Sequence, residues 1–279
     1  MHYCRPCGCK GVRTCLISWE NEYDLIEKNC PNHRGKSLDV NGIFVLPDFL
    51  TAEEKDFILD GINKEKWDSS QSGRRKQNYG PKCNFKKNKI QVGNFKGFPS
   101  YSKIIHEKFK TLPILKDFRV IEQCTLEYDP TRGASIDPHV DDCWIWGERI
   151  VTVNILGETY LSMSRHKQNN KFNLNKVESY PCVLNNNGEF IYNNNLRPFE
   201  FTHNVPQDEN VELKILMPER SIIILYGSAR YEWEHYIPRN DIKNLRICLA
   251  FREFTPPYLP GGEKEKIGID ILNITDNYW

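Results

Sequence analysis

The sequence predicts a mostly β protein, a sandwich or barrel with helices packed outside it, and two observations carry that prediction. Four runs, Arg149–Leu156, Val211–Met217, Ser221–Tyr226 and Leu245–Phe251, are short, rich in β-branched residues and bounded by turn formers, as the strands of such folds are. The 279 residues, 39% of them hydrophobic, suffice for one substantial core plus an appendage, and a barrel of this size is commonly one domain.

The first element, residues 1–35, is too short for a hydrophobic core of its own. Cys4, Cys7, Cys9 and Cys15, with Cys30 or His33 beyond them, supply enough soft donors for a structural Zn(II), which takes four sulfur or nitrogen ligands in a tetrahedron. A redox-sensitive tail is the rival reading. From Gly42 a domain begins, taken as 42–260: Ile43–Leu46 reads as a strand, and Thr51-Ala-Glu-Glu54 is a capping box opening a helix toward Gly61.

Between Ser69 and His106 there is no acidic residue, while Arg74, Arg75, Lys76 and six further lysines alternate with Tyr79, Phe85, Phe95 and Phe98. Three readings of the 69–103 segment stay open: a lid contacting phosphates and stacking bases, a face for an acidic protein, and a solvated hairpin. A second helix is expected from Ser102 to about Lys110. Residues 165–210 are dominated by Asn and Lys without sustained periodicity and read as a mobile insertion, tolerable because loop-closure entropy grows only logarithmically with length. The tail, 261–279, contains Ile267–Leu272, a short packing element with no identifiable chemistry.

The chemistry is concentrated in His139-Val140-Asp141, a distant His235, and the last expected strand. On a strand, residues two apart face the same way, so His139 and Asp141 can present an imidazole and a carboxylate to one cation while Val140 turns to the other layer. His235, placed in a loop or strand mouth between two runs, completes two imidazoles and one carboxylate, the facial set of non-haem Fe(II) oxygenases. By itself a His beside Trp233 and Tyr236 is equally explained as packed surface. On the last strand Arg246, Cys248, Ala250 and Arg252 share one face and Ile247, Leu249 and Phe251 the other. Two fixed charges flanking two small residues leave room for a small anion, and a guanidinium grips a carboxylate bidentately. At about 3.3 Å per residue the two Arg backbones are roughly 20 Å apart, so Arg246 is preferred as the dicarboxylate anchor.

These residues resemble the AlkB-type 2-oxoglutarate- and Fe(II)-dependent dioxygenases, whose order is H-x-D, a distant His, then R-x-x-x-x-x-R. The subgroup called AlkB homologue four is the better match, through Cys7-Gly-Cys9-Lys-Gly-Val-Arg-Thr-Cys15, Ser70-Gln-Ser-Gly-Arg-Arg-Lys-Gln-Asn-Tyr-Gly-Pro81, Ile136-Asp-Pro-His139-Val-Asp-Asp142 and Trp144-Ile-Trp-Gly-Glu-Arg149. The resemblance covers most of the chain and weakens between about 165 and 210. It implies a double-stranded β-helix (jelly-roll) oxygenase core, iron on His139, Asp141 and His235, and 2-oxoglutarate on Arg246 and Arg252, with dioxygen as co-substrate. Two departures stand out: Cys248 and Ala250 replace polar residues that many relatives carry, and Leu126 replaces an Asn, leaving Tyr128 as hydroxyl donor to the oxo-acid. Arg75, Gln77 and Tyr79, in the region near the family's recognition lid, together with Trp144 and Trp146, are the expected substrate contacts.

For substrate the resemblance implies monomethyl-lysine in actin, with DNA 6-methyladenine as runner-up. A non-catalytic binding module and a Zn(II) hydrolase using the same three ligands are the rival classes. The net charge of +1 gives no global reason for nucleic-acid or membrane binding, and no apolar run approaches the roughly 20 residues that span a bilayer. With no export signal at the start of the chain, the expectation is an intracellular protein of cytoplasm and nucleus with reduced thiols.

Overall fold

A computed structural model describes residues 41–165, 177, 180–192, 196–200 and 212–279, together with the strand backbone of β1 (Arg13–Thr14) and β2 (Ser37–Leu38). Cys4, Cys7, Cys9 and Cys15, and with them the zinc expectation, lie outside the described residues, as does much of 165–210. Next come β3 (Ile43–Leu46), α1 (Ala52–Lys64), β4 (Asp68–Ser69), β5 (Arg75–Tyr79) and a hairpin, β6 (Lys82–Asn84) with β7 (Lys89–Gln91). Helix α2 (Ser102–Phe109) precedes β8 (Glu122–Tyr128), β9 (Ile136–His139), β10 (Trp146–Leu156) and β11 (Thr159–Arg165). The chain closes with β12 (Glu212–Met217), β13 (Ser221–Leu225), α3 (Gly227–Tyr231), β14 (Trp233–Ile237), β15 (Arg246–Phe254) and α4 (Glu265–Ile274).

A seven-stranded sheet, in the order β3-β13-β10-β15-β8-β5-β4, faces a four-stranded one, β12-β11-β14-β9, and every pairing in both is antiparallel. This is the expected jelly-roll. Its central strands are buried on both faces, so they read as near-continuous apolar runs and not as an alternation. Along β15 the outward Ile247, Leu249 and Phe251 join the core under the helices, and Phe251 packs edge-on against Phe109 of α2 with ring centroids 5.1 Å apart. The inward Arg246, Cys248, Ala250 and Arg252 line the space between the sheets.

The expected capping box starts α1: Thr51 Oγ1 accepts from the Glu54 N–H at 3.2 Å, and Glu54 Oε2 accepts from the Thr51 N–H at 2.8 Å. Its inner face buries Ile58 and Ile62. The tail does more than add a short packing element. Helix α4 buries Ile271 and Leu272, and at Gly268 a Cβ would come within 1.7 Å of the Tyr258 carbonyl oxygen, so only glycine permits that approach. Beyond it Trp279 donates its backbone N–H to Phe98 O at 3.0 Å and accepts from Ser100 N–H at 2.7 Å, stitching the tail to the entry of α2. Among the described residues no helix is long and apolar enough to cross a membrane.

Candidate active site

Strands β9 and β14 are antiparallel neighbours on the smaller sheet, and their register sets His139 directly opposite His235. The ring centroids are 4.3 Å apart with the planes inclined at 47°. Sequence reasoning placed His235 in a loop or strand mouth; it lies mid-strand in β14, whose extended backbone is what holds it against β9. Burial, and then the neighbouring His139, push the His235 imidazole down to about 3, so it is a neutral lone-pair donor at physiological pH. His139 Nδ1 is 2.8 Å from the Asp137 carbonyl oxygen; donating there, it leaves Nε2 as the ligating nitrogen.

β9 ends at His139, and Asp141 follows two residues later with Val140 turned away into a separate buried group with Cys143, Val177 and Tyr231. Asp141 Oδ1 accepts from Arg252 Nη2 at 3.0 Å, whereas its buried Oδ2 has no hydrogen-bond partner among the described residues. Burial alone would raise this carboxyl, but Arg252, then His235 and His139, outweigh it and hold the group below the usual carboxylate range. As the side chains stand, no three His, Cys, Asp or Glu groups among the described residues form a ready-made metal cluster. The donor chemistry nonetheless suits a divalent cation: two imidazoles face each other, and an ionised carboxylate on the same cavity keeps one oxygen unpartnered.

His139, Asp141 and His235 form one end of a cavity of about 60 Å³, walled by Ile150, Leu161, Met217, Ile223, Leu225 and Ile237. Arg246 and Tyr128 close the other end, paired across β15 and β8 with the guanidinium 4.9 Å from the phenol ring. Arg246 is 1% exposed; its Nε donates to Asn154 Oδ1 at 2.8 Å, and its Nη1 has no partner among the described residues. A buried guanidinium with no carboxylate beside it is costly unless an anion joins it, so this end is built for one. Arg252 sits differently. Its Nη1 donates to Glu122 Oε2 at 2.7 Å and its Nη2 to Asp141, so its guanidinium bridges two carboxylates.

The five expected substrate contacts lie in three places. Trp146 lines an open groove outside the cavity with Arg74, Phe85, Asp137 and Asp142, and Trp144 is buried beside it with Phe85 edge-on at 6.1 Å. Arg75 instead forks onto its cross-strand neighbour Glu127 at 2.7 and 2.5 Å. Gln77 is buried and donates to the Ile62 and Glu65 carbonyls at the end of α1. Neither Arg75 nor Gln77 lines the cavity or this groove; Tyr79 lines a second groove. Sequence reasoning passed over Asn154 and Glu122, which hold the two arginines. Asn154 carried a usable signal, as an amide on the inward face of a central strand beside Ile150 and Thr152. Glu122 carried none, because only the β8–β15 register puts it opposite Arg252.

No family model matches the chain. It is 36% identical over 297 residues to the Mus musculus protein named alpha-ketoglutarate-dependent dioxygenase alkB homolog 4, across 96% of this chain and 93% of the relative. The Homo sapiens protein of the same name is 36% identical over 294 residues, 97% of this chain and 93% of that one. The chain belongs to the AlkB family of dioxygenases. A Caenorhabditis elegans DNA N6-methyl adenine demethylase is also similar, 30% identical over 241 residues, covering 85% of this AlkB-type chain and 69% of the relative. As a 2-oxoglutarate-dependent AlkB-type dioxygenase the protein is an oxidoreductase, and its family implies Fe(II), 2-oxoglutarate and dioxygen.

Proposed function

We propose that the protein is an oxidative N-demethylase of monomethyl-lysine, with methylated actin as substrate and hence a role in actomyosin function and cell division, acting in cytoplasm and nucleus. The observation that carries the demethylase reading is the facing pair His139 and His235, on one cavity with ionised Asp141 and with a buried guanidinium that lacks an anion. His139, Asp141 and His235 would hold Fe(II), and Arg246 with Tyr128 the far carboxylate of 2-oxoglutarate. When bound, the iron with 2-oxoglutarate and dioxygen supplies oxidation of an N-methyl C–H, coupled to decarboxylation of the oxo-acid, after which the hydroxylated methyl leaves as formaldehyde.

The chain's own residues would do the remaining work. Arg252 holds Asp141 ionised and oriented, and the Asp137 carbonyl fixes the His139 tautomer. Ile150, Leu161, Ile223 and Leu225 exclude water from the cavity. Support for a cationic substrate comes from the outer groove, where Asp137 and Asp142 join Arg74 and the rings of Phe85 and Trp146. Carboxylates and aromatic faces favour a methylammonium and oppose a phosphate backbone. Similarity to the two alkB homolog 4 proteins supports the same reading.

Demethylation of DNA 6-methyladenine is the second reading, favoured by the nematode relative. Competition between a monomethyl-lysine actin peptide and methylated DNA, scored as formaldehyde released per iron, tests the pair. Release from the peptide alone is the expected outcome. Oxo-acid consumption with formaldehyde from neither would remove the substrate assignment and leave the oxygenase class. Cys4, Cys7, Cys9 and Cys15 are proposed to hold a structural Zn(II), and reduced full-length protein free of zinc would count against it.

A further inference from the structure

A second groove continues from the first. Phe85 and Glu122 belong to both: on one side they border the mouth at His139 and Trp146, on the other they open into a trough of about 510 Å³ running to Tyr79, Lys96 and Trp279. The trough is basic. Lys76, Lys82 and Lys96 line it, and none of the three is ion-paired among the described residues, whereas its one acidic side chain, Glu122, is already bound to Arg252. The floor is braced by secondary structure. Lys76 projects from β5, Lys82 from β6, and Trp279 is fixed by its indole N–H donating to the Gly97 carbonyl at 3.2 Å and by Tyr79 edge-on at 5.9 Å.

We infer that this trough is the binding site for an acidic peptide stretch flanking the methylated lysine, so that substrate choice is made by the flank as well as by the methylammonium. The inference rests on the methyl-lysine reading above and deepens it. Charge complementarity favours peptide over nucleic acid in three respects. The cations are lysines, compact point charges, and not the planar forks that grip phosphate bidentately. The trough offers few ring faces on which bases could stack: Lys96 Nζ already sits 3.8 Å over the Trp279 ring and Phe95 is buried, which leaves the exposed Phe85 at the junction with the mouth. A phosphate backbone leaving the trough would also meet Asp137 at the mouth, beside Arg74, where a peptide presents its lysine cation to that carboxylate instead. An acidic flank therefore has lysines along its length and a carboxylate-lined mouth at its end, matching a sequence that is negative and then positive.

Two monomethyl-lysine peptides that differ only in their flank, Asp/Glu against Asn/Gln, test it, with formaldehyde release giving kcat/KM and fluorescence anisotropy giving affinity for the metal-free protein. The expected result is a preference of about tenfold or more for the acidic flank, expressed in KM, weakening as salt rises. In the triple variant Lys76→Glu, Lys82→Glu, Lys96→Glu that ratio should collapse towards one or invert. Equal kcat/KM for the two peptides in the native protein would overturn the inference, as would a preference that survives the triple variant. Displacement of the acidic peptide by a single-stranded oligonucleotide at lower concentration than by the free acidic flank would overturn it in favour of nucleic acid. Formaldehyde from neither peptide, with charge-dependent anisotropy retained, would uphold the trough and sink the methyl-lysine assignment instead.

Discussion

The two ends of β15 carry the same side chain in opposite circumstances. At Arg252 the guanidinium binds two carboxylates, Glu122 at 2.7 Å and Asp141 at 3.0 Å; at Arg246 it meets an amide oxygen and an aromatic ring and, among the described residues, no carboxylate. A buried cation balanced by two anions is part of the fold and orients them. One buried without an anion is waiting for a ligand. Identical residues on one face of one strand are thus told apart by what the neighbouring strands bring to them, Glu122 from β8 in one case and Asn154 from β10 in the other.

Arg252→Met tests this contrast most severely. It strands two buried carboxylates, so a loss of about 3–5 kcal/mol of folding stability and weakened Fe(II) binding are expected in denaturant titration and metal titration. If stability held and only the 2-oxoglutarate KM rose, the two arginines would be doing one job. Arg246→Met should give the reverse pattern, with stability and Fe(II) affinity close to native and the 2-oxoglutarate Kd raised by roughly a hundredfold, as removal of a charge-assisted hydrogen bond to a carboxylate would produce.

The outer face of the same strand provides a pH-dependent contrast. Phe251 packs on His106, whose ring burial pushes down to about 3. A folded pKa below the ordinary value of 6.5 means that the unfolded chain binds the extra proton. Stability is therefore full above that value and is lost as pH falls from 6.5 towards 3. Between pH 6.5 and 5 the loss is about 2 kcal/mol, and His106→Phe should remove it in acid-dependent melting without changing 2-oxoglutarate affinity. A milder effect is expected at Tyr128→Phe, about fivefold in 2-oxoglutarate Kd if its hydroxyl meets the same carboxylate as Arg246, and none if the phenol only packs.

Period-two alternation made β15 legible: the Arg-Cys-Ala-Arg face and the Ile-Leu-Phe face are separated in the structure as the sequence implies. The capping box at Thr51 was legible because it is local, made within three residues. Arg75 and Gln77 were read as substrate contacts because the family resemblance puts their segment near the recognition lid; their partners, Glu127 and the end of α1, arrive through strand pairing and a turn. His235 was misplaced for a related reason, since Trp233–Ile237 is too short and too polar to announce itself as a strand until β11 and β9 pair on either side.

Residue order was enough to specify the side chains able to hold a cation and a dicarboxylate, the periodicities of the strands that carry them, and the family. Folding was needed to set His139 against His235, to commit Arg252 to Asp141 while leaving Arg246 uncommitted, and to join a basic trough to the mouth. The reason is physical: propensity and alternation are properties of neighbours along the chain, whereas pairing of buried charges depends on register between strands more than a hundred residues apart.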